Sequence, residues 1–294
     1  MKLYAPSYYK KFKCIADKCE HSCCIGWEID IDEETLEKYE KLENGYAHTV
    51  RESISFDETP HFKLCDNERC PHLDGRGLCK IIINAGEDYL CDICREHPRF
   101  YNFTSVCEVG IGMSCIEAAR IILRSPDYDV LEQIGEIDAL EDEISFDGRA
   151  QRDKIYSILK DTSLPYGIRL DKICRRYGIS TPEDSRYLEI LGSLEYLDEG
   201  HKELFLNYSN TRRPEGEEEY LERFLAYLVY RHTTEAFDEE DFCTRLSFCL
   251  FCERLFASLV CYTGAKDENE LVSLARIISE EIEYSEDNTT ALMI

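Results

Sequence analysis

Sixteen of the 294 residues are cysteine, and eleven of these lie between Cys14 and Cys115. Thiols at that density admit few outcomes: disulfides, metal ligation, redox chemistry, or burial as small apolar groups. The N-terminal run MKLYAPSYYKKFKC lacks the apolar stretch of an export signal. No segment approaches the roughly 18 consecutive apolar residues of a membrane span. A cytoplasmic protein with no membrane association is therefore expected, and a reducing cytosol turns a thiol cluster toward metal.

The cysteines form three local patterns. Cys14, Cys19, Cys23 and Cys24 give C-x4-C-x3-C-C; Cys70 and Cys79 give C-P-x-L-x5-C; Cys91 and Cys94 give C-x2-C-R. Short separations let one turn present two ligands, and Gly26, Gly75, Gly77 and Gly86 suit tight turns between them. Iron–sulfur clusters and zinc both accept such thiolates. The C-x2-C-x2-C-x3-C-P ferredoxin spacing is absent, and so is the C-x3-C-x2-C triplet of radical S-adenosylmethionine enzymes. Structural zinc would be served by Cys19, Cys23, Cys70 and Cys79.

Charge narrows the partners. Hydrophobic residues at 44% and charged ones at 32% describe a globular chain, and the net charge of −26 argues against nucleic-acid binding. A basic or lysine-bearing protein would be attracted. The excess is uneven: residues 1–125 carry 22 acids and 16 bases, residues 126–294 carry 38 and 18.

The expected architecture is mainly α: a cysteine-rich module with little strand, 1–125, an acidic connector with some helix, 126–148, and a helical region, 149–294. In the module, Trp27, Ile29 and Ile31 alternate with acids as a half-buried strand would. Asp32 is placed to cap a helix over 33–43, 103–112 reads as strand, and Ser114 to Glu117 fits a capping box. Beyond it, helical periodicity marks 149–161, 166–177, 183–198, 215–234, 239–262 and 268–284.

Three segments, FKCIADKCEHSCCIGWEIDID, CPHLDGRGLCKIIINAGEDYLCDICREHPRF and GMSCIEAARIIL, resemble the flagellin lysine-N-methylases. LERFLAYLVYRH and ISEEIEYSEDN are similar to that family too. The resemblance implies an iron–sulfur cluster, [4Fe–4S], and methyl transfer from S-adenosylmethionine to lysine side chains of a protein such as flagellin. Its pattern carries over to Cys14, Cys19, Cys23, Cys24, Cys70, Cys79, Cys94 and Cys115, more sulfurs than one four-ligand cluster needs. Cys65, Cys91 and Cys107 stand outside the pattern, and Ile116 replaces the usual proline before Glu117-Ala118-Ala119-Arg120. A non-enzymatic metal module, with iron–sulfur or zinc, for electron transfer or protein interaction is the alternative.

Other features read as structural. Cys249 and Cys252 sit mid-helix in FCLFCERLFASLVCY and, with Cys174, Cys243 and Cys261, are expected as packing residues. His21, His72 and His97 suit supporting or surface positions better than ligation. Arg95 and Arg99 suit either a carboxylate or surface pairing, and Glu217, Glu218 and Glu219 suit the first turn of a helix. No glycine-rich nucleotide loop, P-loop or G-x-S-x-G turn is present.

Overall fold

The computed structural model describes residues 1–57, 59–138, 146–180 and 183–293. Helix makes up 53% and strand 11%, so the chain is mostly helical with a small mixed sheet. It divides into two compact units, one formed by 13–99 and the other by 1–12 with 100–294. Residues 100–125 thus group with the helices rather than with the cysteine-rich segment.

Unit 13–99 holds α1 (Glu33–Lys41), α2 (Ala47–Glu52), the two-residue strands β2 (Ile54–Ser55) and β3 (His61–Phe62), α3 (Lys80–Asn84) and α4 (Asp92–Glu96). Elements this short form few internal hydrogen bonds, so side chains supply the rest. Asp32 accepts from the Thr35 amide at 2.9 Å, capping α1, and its second oxygen accepts from the Asp92 amide at 2.8 Å, starting α4. Burial works against this carboxylate, but those amides outweigh it and its pKa lies below the usual value. Arg51 closes the other end of α1, donating to the carbonyls of Tyr39, Glu40 and Leu42. Ile29, Ile31, Tyr39, Val50 and Phe62 form the core. Ile29 and Ile31 are buried as their alternation requires, but only an isolated bridge, Asp30 to His61, pairs that segment. The expected strand is thus reduced to one rung.

The other unit begins with β1 (Lys2–Pro6) and continues with β4 (Arg99–Phe103), β5 (Cys107–Ile111), α5 (Ile116–Leu123) and β6 (Leu131–Glu136). The sheet order is β4-β5-β1-β6, with β1 parallel to β5 and antiparallel to β6. All of β5 is buried, which explains its unbroken apolar character around Glu108. Gly110 lies under the Phe100 ring: an added Cβ would come within 2.3 Å of it.

Residues 131–136 of the connector form a sheet edge, where the polar sequence LEQIGE is acceptable because one side faces solvent; residues 139–145, within the same connector, lie outside the described ones. The expected capping box is absent. The first helical residue is Ile116, Cys115 takes the cap position without a side-chain bond, and Ser114 falls outside the helix.

The helical part comprises α6 (Gly148–Leu159), α7 (Tyr166–Tyr177), α8 (Asp184–Ser193), α9 (Glu199–Phe205), α10 (Glu218–Thr233), α11 (Glu239–Thr263), α12 (Glu268–Ile278) and α13 (Glu286–Leu292). After α12 the helix continues directly as one wide π-type turn over 279–283, so the segment expected over 268–284 is helical almost to its end. α11 is the spine, packed against α10 and α12. By length and composition it could span a bilayer, contrary to expectation, but 78% of its apolar window is buried inside the fold. Cys249 and Cys252 are fully buried on it, as packing residues should be. Arg152 on α6 donates to both oxygens of Glu108, at 2.5 and 3.1 Å, tying sheet to helices.

Candidate metal centre

Within unit 13–99 the backbone brings distant cysteines together. The Cys70 amide donates to the Cys24 carbonyl at 2.9 Å, and the Gly26 amide to the Glu68 carbonyl at 3.1 Å, so 24–26 and 68–70 run side by side. The loop from 70 to 79 then folds back. Asp74 accepts from the amides of Arg76 and Leu78, Gly77 turns at φ +79°, and Leu73 bridges Cys79. Cys79 precedes α3 at its cap position, and Cys91 does the same for α4, which carries Cys94. Cys70 and Cys91 are buried in the unit's core, with Cys24, Cys79 and Cys94 packed against it.

These five sulfurs sense one another, and their protonation shows the strain of sharing a dry site. The Cys23 thiol donates to Cys24 and, despite burial, brings Cys24 down to about 7; Ser22 and Arg69 assist. Burial pushes Cys70 up to about 12, with Cys24, Cys79 and Cys91 adding repulsion. Burial also raises Cys79, although the amides of Ile81 and Ile82 favour its thiolate. Cys91 and Cys94 act on each other through their thiols, lowering the pKa of Cys91 and raising that of Cys94. Thiols grouped on one core are the donor type that soft metal ions take once deprotonated.

Of the eight sulfurs singled out in the sequence, Cys24, Cys70, Cys79 and Cys94 meet here, with Cys23 adjoining Cys24. Cys14 is exposed, Cys19 donates to the His21 carbonyl at 2.7 Å, and Cys115 lies in the other unit. Cys91 had been set apart, yet it joins the group; its C-x2-C partnership with Cys94 was the available signal. Cys65 is exposed and Cys107 is buried in β5. His72 is ruled out as a ligand by its own bonds: Nδ1 meets the Tyr46 hydroxyl at 2.7 Å and Nε2 the Ser53 hydroxyl at 2.9 Å. Arg95 pairs with Asp92. Arg69, which sequence reasoning passed over, is the cation beside Cys24.

Among the described residues, one group of three or more His, Cys, Asp or Glu donors is gathered within 4.8 Å: His201, Glu280 and Glu281. The His201 group is already satisfied without metal. Glu281 accepts from the amides of Leu197 and Asp198 and from His201, and Glu280 pairs with Arg276.

No protein-family model matches the chain, and no solved structure matches it. Curated proteins do. Lysine-N-methylase of Salmonella typhimurium (strain LT2) is 26% identical over 136 residues, covering 44% of this chain and 34% of the relative. Lysine-N-methylase of Salmonella choleraesuis (strain SC-B67) matches with the same identity and coverage. Flagellar biosynthetic protein FliU of Salmonella muenchen is 27% identical over 161 residues, covering 52% of this chain and 94% of its own. The match therefore spans about a third of the lysine-N-methylases and nearly all of FliU. The chain is a distant homologue of the curated proteins named lysine-N-methylase and FliU.

Proposed function

We propose that the chain is a protein-lysine N-methyltransferase that acts in the cytoplasm, takes its methyl group from S-adenosylmethionine, holds an iron–sulfur cluster, and modifies a lysine-bearing protein such as flagellin. The distant homology to lysine-N-methylase and FliU supports the reaction class and the flagellar substrate. The observation that carries the metal is the convergence of Cys24, Cys70, Cys79, Cys91 and Cys94 on one core. Four of the five would ligate a [4Fe–4S] cluster and one would support it. The sequence resemblance favours the cluster over zinc, and a cluster spreads its thiolates over four irons.

The reaction is a displacement. The neutral amine of lysine forms the new N–C bond as the S–C bond of the donor breaks; the thioether leaves and the nitrogen sheds a proton. Lysine, with a reference pKa of about 10.4, must first give up its ammonium proton. Holding amine and methyl carbon in line lowers the barrier. When bound, the cluster would supply a Lewis-acidic iron or brace the fold. The chain's acidity, −26 overall, draws a basic substrate surface toward it.

Metal analysis after anaerobic purification tests the cofactor: about four irons with matching sulfide per chain is expected. Stoichiometric zinc without sulfide would favour the alternative, a non-enzymatic metal module.

A further inference from the structure

The helical unit buries a carboxylate that none of the chemistry above uses. Glu253, midway along α11, is fully enclosed. Its Oε1 accepts from Arg213 Nη1 at 2.5 Å and from the Tyr166 hydroxyl at 3.2 Å. Its Oε2 is equally buried and has no hydrogen-bond partner among the described residues. The Tyr208 hydroxyl is likewise buried and unpartnered. Glu253, Tyr166 and Tyr208 all lie within electrostatic reach of the Arg213 guanidinium, and Arg254 also acts on Glu253 and Tyr208.

The same unit shows what a permanent buried pair looks like. Arg152 is 2% exposed, projects from a helix and grips both oxygens of Glu108. Arg213 differs in each respect. Its side chain is 35% exposed, it comes from the segment between α9 and α10, and it engages one oxygen only. The planar guanidinium leaves the second oxygen and a tyrosine hydroxyl unserved. A tetrahedral ammonium carries three N–H donors, enough to serve both oxygens of Glu253 and one further acceptor.

We propose that Glu253, Tyr166 and Tyr208 form a pocket for one alkylammonium group, the lysine side-chain class, and that Arg213 is a displaceable plug filling it. Replacing one cation by another leaves the buried carboxylate paired before and after the exchange. The proposed function enters only in the choice of lysine as the alkylammonium; the geometry itself asks for a cation with several N–H donors.

The test uses the full chain and n-butylammonium chloride as probe, with potassium chloride at equal ionic strength as reference. Saturation-transfer NMR and thermal shift report binding. Wild type should bind the probe saturably. Arg213→Ala, with the plug gone, should bind about tenfold more tightly or more, because the competent state is no longer a fraction of the population. Tyr208→Phe, which keeps the packing, should weaken binding several-fold. Should Arg213→Ala fold poorly, recovery by butylammonium and not by potassium is the expected sign, and the wild-type against Tyr208→Phe comparison stands without it. Equal binding to wild type and Arg213→Ala, no saturable binding to wild type, or indifference to Tyr208→Phe would each make Arg213 a fixed structural ion pair. Methyl transfer is scored separately: binding without transfer overturns the enzyme reading and leaves the pocket, and transfer without binding does the reverse.

Discussion

Replacing Arg152 by Met probes the joint between the sheet and the helices. Arg152 gives Glu108 two charge-assisted hydrogen bonds, gives Thr234 a third at 3.0 Å, and lies 5.2 Å from the centre of the Tyr230 ring. Methionine fills much of the volume but leaves Glu108, itself fully buried, with Arg149 at 2.7 Å as its remaining cation. Breaking one side of a buried pair costs about 3–5 kcal/mol, and the Arg149 contact places this case near 3. That is a large share of a typical folding free energy of about 5–15 kcal/mol. At about 2–4 °C per kcal/mol for a unit of this size, the unfolding midpoint should fall by roughly 10 °C. Denaturant titration of wild type, Arg152→Met, Glu108→Gln and the double variant gives the coupling, expected at about 2–3 kcal/mol. An Arg152→Met midpoint within 1 °C of wild type, or additive single effects, would refute the claim that this pair joins the layers.

Cys252→Ala should lose about 1 kcal/mol of stability with metal content unchanged, since the thiol is enclosed on α11; iron loss from the folded variant would contradict this. Asp32→Ala removes two caps at once and should cost unit 13–99 about 1–2 kcal/mol, read as increased amide exchange at Thr35 and Asp92. Cys70→Ala and Cys79→Ala should each strip most of the iron, measured by absorbance and iron assay, while Cys14→Ala keeps it. Methyl transfer to a basic protein should slow as salt rises from about 0.05 to 0.5 M, because screening shortens the reach of the acidic surface.

The sequence foretold the helical periodicity well, because α6, α7, α10 and α11 carry long apolar stripes with proline or glycine near their ends. It foretold α9 and α13 not at all: seven residues give too few turns for a period to show. Strand β6 was hidden by its polarity, and the strand expected around Asp30 shrank to one rung beside the two-residue β3. Cys24, Cys70, Cys79 and Cys94 were marked by the family resemblance; Cys91 lay outside it and was offered by its C-x2-C spacing alone, and its place in the core depends on where Asp32 and the α4 start hold it, a contact across 60 positions. Buried charge was the least visible feature. Glu108, Glu253 and Glu283 read as surface acids in a chain this acidic, and only the packing of Arg152, Arg213 and Arg231 against them shows otherwise.

The account stands on the transfer of a methyl group to lysine. The direct measurement is mass spectrometry of flagellin incubated with the anaerobically purified protein and S-adenosylmethionine. The prediction is an increment of about 14 Da, localised to lysine and lost with Cys70→Ala. Flagellin of unchanged mass, with iron and sulfide intact in the protein and no increment on other lysine-rich proteins, would contradict the enzyme reading and leave a metal-binding module in its place.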